Sequence, residues 1–538
     1  MAELLVRLLT LAAALLLFFA TVFGSTGPES RENLGASRIP AQFSEEERVA
    51  IKEALKVQGA IQIPTVSFSH EKSNTTALAE FGEYIRKVFR SSLVQHEVVA
   101  QYSHLFTVHG SDPSLQPYML MAHFDVVPVS EEGWEVPPFS GLERNGFIHG
   151  RGALDNKNSV MAILHALELL LIRNYSPKRS FFIALGHDEE VSGTKGARNI
   201  SALLQARGVQ LAFLVDEGSF ILEDFIPNLS KPVAMISVTE KGALDLMLQV
   251  NMTPGHSSAP PKETSIGILS AAISRCSWSG RFLTAIVHPN QNGEPCSSDG
   301  EYVAPMNQGF VLEQTPLPNM FGNGPLKKTL ELLANEVFLP YQYSLEEPVA
   351  ISSHCEQADG EEAHNKCACQ DYDSPHHVQR GHQAVNVIPP LAQATINFRI
   401  HPSQTVHEVL ELVKNIVADD RVQLRVLRSF EPLPVSPSDD QAMGYQLLQQ
   451  TIRSVFPEVN IIVPGICIGN TDTRHYVSIT NGMYRFNPVY LQPQDFRGIH
   501  GINEKISVQN YQNQVKFIFE FIQNADTYSQ PAPHLHEL

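Results

Sequence analysis

Basic side chains are scarce in this chain of 538 residues. Lys and Arg number 39 against 57 Asp and Glu, and the formal charge of −18 excludes a nucleic-acid binder, which needs a basic footprint. There is no basic stripe interleaved with aromatics and no internal repeat, so repeat architectures are excluded as well. Long apolar runs are almost missing: after residues 8–23 no segment is apolar enough to cross a bilayer. Cysteine is rare and badly spread. Of six, Cys276, Cys296, Cys355, Cys367 and Cys369 fall in two short regions and only Cys467 lies elsewhere, so no disulfide pairing can be read. Cys355, His364, Cys367 and Cys369 match no zinc-finger spacing.

What remains is the composition of a globular protein, with 43% hydrophobic and 18% charged residues and a length that suits two or three domains. Arg7, the apolar run after it and the small residues from Gly24 predict a signal peptide over residues 1–24, hence a secreted, extracellular protein; an uncleaved anchor is the alternative. Secretion gives meaning to the glycosylation sequons at Asn74, Asn199, Asn228 and Asn251, with Asn174 weakened by Pro177. Residues 25–43 read as a flexible leader and 527–538 as a tail.

From Ser44 to residue 240 apolar runs alternate with amphipathic segments, and the helix after Asn158 is apolar on most faces. That pattern predicts an α/β domain whose sheet is covered on both sides, with ligands gathered at the carboxyl ends of strands. Near Lys241 the rhythm changes to strand, helix, strand, helix, strand, which predicts a smaller α+β domain inserted over residues 241–430. Residues 431–526 return to the first domain with two further helices.

Acidic and imidazole side chains close the apolar runs. His123 ends one, and Asp125 lies two residues on, where a strand would place it to fix the His123 tautomer. Asp155 follows Gly150-Arg151-Gly152, whose glycines imply a close backbone approach; it could cap a helix or hold a metal. Glu189 and Glu190 follow a buried strand, where adjacent carboxylates repel unless a cation compensates; one could bind metal while the other takes a proton from water. Asp216 closes residues 211–215 in the same manner. Mixed carboxylate and imidazole donors suit zinc or a similar divalent ion. His500 is one of 21 histidines, and physical reasoning alone does not select it.

Taken in order, His-x-Asp, Gly-Arg-Gly-x-x-Asp, Glu-Glu, Asp216 and the late His500-Gly501 resemble the M20 metallopeptidase family over most of the chain. The resemblance implies a zinc-peptidase-like mixed sheet flanked by helices, with a ferredoxin-like lid and dimerisation domain inserted. It implies two zinc ions bridged by Asp155, with His123 and Asp216 on one ion and Glu190 and His500 on the other. Glu189 would be the general base and then the acid that protonates the departing amine. His256 would steady the oxyanion of a neighbouring subunit, Arg474 would receive a substrate α-carboxylate through its planar fork, and Asn386 would be a further substrate contact. Asn156 stands where the family commonly has a second Asp.

Within the family the likeness is greatest to secreted enzymes that hydrolyse N-fatty-acyl amino acids and synthesise them in reverse. The implied partners are therefore small molecules (an N-fatty-acyl amino acid, a fatty acid, an amino acid), a homodimer through the lid, and a lipoprotein or lipid carrier. A carnosinase-like dipeptidase or an aminoacylase is the rival enzyme. The rival of another class is a secreted binding protein made idle by its lid, because residues 276–311 and 341–383 depart from the family pattern and read as disordered.

Overall fold

The structure, a computed structural model, describes residues 38–55, 59–89, 94–225, 231–256, 258–278 and 387–528, and every structural statement below concerns these. The chain divides into two units, residues 24–240 with 433–538 and residues 241–432. Residues 1–24, Asn228, most of 276–311, all of 341–383 and Asn386 lie outside the described residues.

In chain order the larger unit begins with helices α1 (Glu45–Leu55) and α2 (Thr75–Val88) and strands β1 (Val94–Val99), β2 (Ser103–Val108) and β3 (Tyr118–His123). Next come α3 (Lys157–Ile172), β4 (Phe181–Gly186), α4 (Ala197–Ala206), β5 (Leu214–Asp216), β6 (Ile221–Leu222) and β7 (Val233–Glu240). The inserted unit holds β8 (Gly242–Asn251), α5 (Ser265–Trp278), β9 (Leu391–Ile400), α6 (Val406–Val417) and β10 (Val422–Phe430). The chain returns through α7 (Met443–Val455), β11 (Ile461–Cys467), β12 (Met483–Arg485), β13 (Tyr490–Leu491) and α8 (Val508–Thr527).

The large sheet runs β13-β6-β7-β12-β5-β3-β4-β2-β1, with β11 also paired to β7. Its centre, β12-β5-β3-β4, is parallel, and antiparallel strands continue it on either side. Every residue of β3 and β4 is buried, as a parallel strand covered on both faces requires, and this explains their unbroken apolar runs. The helix α3 packs on β3 and against α8, so nearly all of its surface is apolar and buried. In register, His123 lies beside Gly186, and Asp216 beside Arg485. The carboxyl ends of all four central strands therefore open onto one edge.

Residues 38–43, expected as part of a loose leader, are tied to α8. Gln523 accepts from the Ile39 amide at 2.8 Å, Arg38 pairs with Glu520, and Phe43 meets Phe519 edge to face. In the inserted unit β8 is flanked by β9 and β10, both antiparallel, and α5 and α6 cover one face, with Ile268 and Val413 in the same core as Leu244, Leu246 and Ile396. Among the described residues Cys467 is a free, buried thiol, and no helix is long and apolar enough to cross a membrane.

Candidate metal centre

Five segments far apart in the chain bring their side chains to the edge formed by the central strands. His123 Nε2 lies 3.0 Å from Asp155 Oδ1, while Asp155 Oδ2 lies 3.0 Å from His500 Nε2, so one carboxylate stands between two imidazoles. Glu190 Oε2 is 3.1 Å from the same His500 nitrogen. Two groups have donor atoms close enough to share a cation: His123, Asp155 and Glu190, and His123, Glu189 and Glu217.

Asp216 is placed differently from the expectation. Glu217, its neighbour, reaches His123 Nε2 at 3.0 Å, whereas Asp216 Oδ1 accepts from the Glu217 amide at 2.9 Å and its Oδ2 is buried with no hydrogen-bond partner. Asp216 is the last residue of β5, held in the sheet; Glu217 has left it and can turn toward His123.

Asp125 lies beside His123, with the Nδ1 atom 3.4 Å from its carboxylate and 3.1 Å from its backbone oxygen. The Asp125 carboxylate also accepts from the amides of Glu189 (3.0 Å) and Glu190 (3.2 Å) and from the Ser67 hydroxyl (2.7 Å). One buried carboxylate thus orients an imidazole and pins the turn that carries both glutamates. Arg474, in the short helical turn Asp472–His475, donates from Nη2 to Glu189 Oε1 at 3.1 Å.

Asp155 is held from behind by Glu504, which sequence reasoning missed. The Glu504 carboxylate accepts from the amides of Gly152 (3.1 Å), Leu154 (2.7 Å) and Asp155 (3.0 Å), and pairs with Arg151 at 2.7 Å. Gly152 adopts φ +90°, and a Cβ there would sit 3.0 Å from the buried Lys157 stem, which accounts for the glycine. Nothing local marks Glu504, because its partners are some 350 residues away in sequence.

In the inserted unit His256 is exposed, and its Nδ1 faces the Ser258 amide at 3.2 Å and the Ser258 hydroxyl at 2.5 Å. An amide can only donate, so the neutral ring carries its proton on Nε2.

The centre is rich in buried carboxylates. Burial pushes Glu217 up to about 8 against the pull of His123, and Asp216 up to about 6. Burial likewise raises Glu189 and Glu190, the latter with help from Asp155. Burial alone would lower His500, but Glu190 and Asp155 lift it to about 11. Glu190 Oε1 is buried with no hydrogen-bond partner. Crowded carboxylates, orphaned oxygens and two imidazoles fit a divalent cation with mixed oxygen and nitrogen donors.

The model of peptidase family M20/M25/M40 matches residues 119–524. The chain is 75% identical over 542 residues to the N-fatty-acyl-amino acid synthase/hydrolase PM20D1 of Mus musculus, and 61% identical to that of Homo sapiens, with 100% of both chains covered in each case. Among solved structures it resembles the M20 family metallo-carboxypeptidase Sso-CP2 from Sulfolobus solfataricus, with a TM-score of 0.57 and 18% identity, over 90% of this chain and 100% of that one. Human carnosine dipeptidase 1 gives a TM-score of 0.55 at 18% identity, over 90% and 97%. These structural likenesses speak for the mixed α/β fold. With its ordered motifs gathered at one sheet edge and the family model spanning most of its length, the chain belongs to peptidase family M20/M25/M40, a family of metallopeptidases.

Proposed function

We propose that the chain is a metal-dependent amidohydrolase that cleaves N-fatty-acyl amino acids and forms them from a fatty acid and a free amino acid in reverse. The observation that carries this is the convergence of His123, Asp155, Glu190, Glu217 and His500 around one carboxylate bridge, with Glu189 beside them. The choice of substrate is supported by the 75% and 61% identity to enzymes named for that reaction.

The donor set would suit two zinc ions, with His123, Asp155, Glu190, Glu217 and His500 as the residues that would hold them. When bound, zinc supplies Lewis acidity toward the amide carbonyl and an attacking water. Glu189 would take a proton from the attacking water and pass it to the departing amine nitrogen. Arg474 offers its planar fork to the α-carboxylate of the amino-acid half, and its contact with Glu189 keeps the two groups side by side. His256, with its proton on Nε2, is prepared to donate to an oxyanion, and we assign it to the neighbouring subunit of a lid-mediated homodimer. Residues 1–24 are assigned as a signal peptide and the protein as secreted and glycosylated, on sequence pattern alone.

The test is hydrolysis of an oleoyl amino acid beside hydrolysis of a dipeptide, together with zinc content per chain. Preference for the acyl amino acid at about two zinc ions per chain supports the reading. A clear dipeptide preference sinks it.

A further inference from the structure

Beneath the Arg474 turn lies a charged network that none of the metal ligands uses. Glu240 ends β7 and Arg485 ends β12, and both side chains are fully buried. Arg485 Nε donates to Glu240 Oε1 at 2.7 Å. That same oxygen accepts from the Thr473 hydroxyl at 2.6 Å and from the Thr471 hydroxyl. Having given its proton to Glu240, the Thr473 hydroxyl accepts from Arg485 Nη2 at 2.6 Å, while Arg485 Nη1 donates to the Met483 carbonyl at 3.0 Å. Thr471 and Thr473 flank Asp472, and Arg474 follows directly.

A buried ion pair is a poor device for stability alone, because desolvation offsets most of the attraction and an apolar pair of similar volume does as well. It is a good device for direction. Two sheet strands here clamp the hydroxyls on either side of Asp472, and the turn they fix is the one that aims Arg474 at Glu189. The same Arg485 packs under the turn that carries Glu217: a Cβ on Gly218 would lie 3.0 Å from Arg485 Cβ and from Cys467 Sγ.

We propose that Glu240, Arg485 and Thr473 are positioning residues that set the Arg474 guanidinium for the α-carboxylate of the substrate, and so give the enzyme its preference for acyl amino acids over acyl amides without a carboxylate. This rests on the function proposed above. They touch no substrate; they act through Arg474.

The test compares an oleoyl amino acid with the same compound whose α-carboxylate is a primary carboxamide, using the full-length protein loaded with zinc. Glu240→Gln and Thr473→Val lower kcat/KM for the carboxylate substrate about tenfold, mostly through KM, and for the carboxamide by less than about threefold. Thr473→Ser, which restores the hydroxyl, returns the preference to within about threefold of the parent. In an Arg474→Met background neither change reduces the preference further, as a shared route requires. Equal losses on both substrates, or effects that multiply with Arg474→Met, overturn the proposal and reduce the network to a structural one. If the parent turns over the acyl amino acid without preferring it to the carboxamide, this inference falls while the proposed function stands. No turnover of the acyl amino acid removes both.

Discussion

Glu504→Gln keeps the shape of the side chain and removes its charge, and its consequences can be worked through contact by contact. The carboxylate receives three backbone amides, from Gly152, Leu154 and Asp155, and the Arg151 guanidinium. Hydrogen bonds to a charged group are worth about 1.5–3 kcal/mol each, but they are not additive, and breaking one partner of a buried pair costs roughly 3–5 kcal/mol as a whole. Burial lifts the Glu504 carboxyl above its ordinary range in spite of Arg151, so the charge is only moderately favoured there. The lower end of the range is therefore expected, about 3 kcal/mol. The new amide must also turn an N–H₂ toward one of the donors, which loosens the loop that ends in Asp155. Since Asp155 lies between His123 and His500, zinc affinity should fall about 10–100-fold, the usual cost of disturbing a group behind a ligand. The assay is zinc retained after dialysis against a graded chelator, with the thermal midpoint of the zinc-loaded and stripped protein measured beside it. A variant that keeps zinc as the parent does and melts within about 1 °C of it would refute the reasoning.

Three further outcomes follow from the same geometry. Glu217→Gln should lower zinc content and activity at least about a hundredfold and Asp216→Asn about tenfold, measured at fixed free zinc; the opposite order would restore Asp216 as the ligand. Gly193→Ala should abolish activity and lower the melting temperature by several degrees, because at φ +62° its Cβ would fall 1.9 Å from Asp472 Oδ1; a normally stable, active variant would mean the Asp472 turn moves freely. His165 is buried in α3 and burial lowers its pKa to about 4, so it is neutral in both states above about pH 6.5 and charges only in the unfolded chain below that. Stability is thus lost as pH falls toward 4, by roughly 3 kcal/mol from this group; His165→Leu should narrow the gap in thermal midpoint between pH 7.5 and 4.5, and an unchanged gap would count against it.

The central strands were legible because burial on both faces leaves a parallel strand nothing but apolar residues, and because parallel strands must bring their carboxyl ends together. His123, Glu189, Glu190 and the turn at Asp216 could be read for that reason. Which of Asp216 and Glu217 faces His123 could not, since alternation stops where the strand stops. His500 was found through family resemblance alone; it sits on a loop at φ +58° with its side chain 55% exposed, and no periodicity reaches it. Strand β11 was not foreseen, and its half-buried residues with Pro464 and Gly465 carry little strand signal. Glu504 and the Glu240–Arg485 pair were invisible because each depends on partners hundreds of positions away.

The balance between hydrolysis and synthesis places a limit on what any side chain here can do. On the proposed mechanism Glu189 moves a proton from water to the amine nitrogen in hydrolysis; in synthesis it would have to take a proton from the attacking amine and return it to the departing oxygen, through the same transition state. The equilibrium constant of the reaction belongs to the solution, so the ratio of the two limiting efficiencies is fixed whatever the enzyme looks like. Glu189→Gln should accordingly retain zinc and lower both directions by one common factor, on the order of 10²–10⁴. Measured hydrolysis that survives while synthesis disappears, under matched conditions, would show that Glu189 serves only one of two separate routes. If the factor is common, direction is decided by the supply of fatty acid and amino acid, and the part proposed for Arg474 is the choice of which amine may enter.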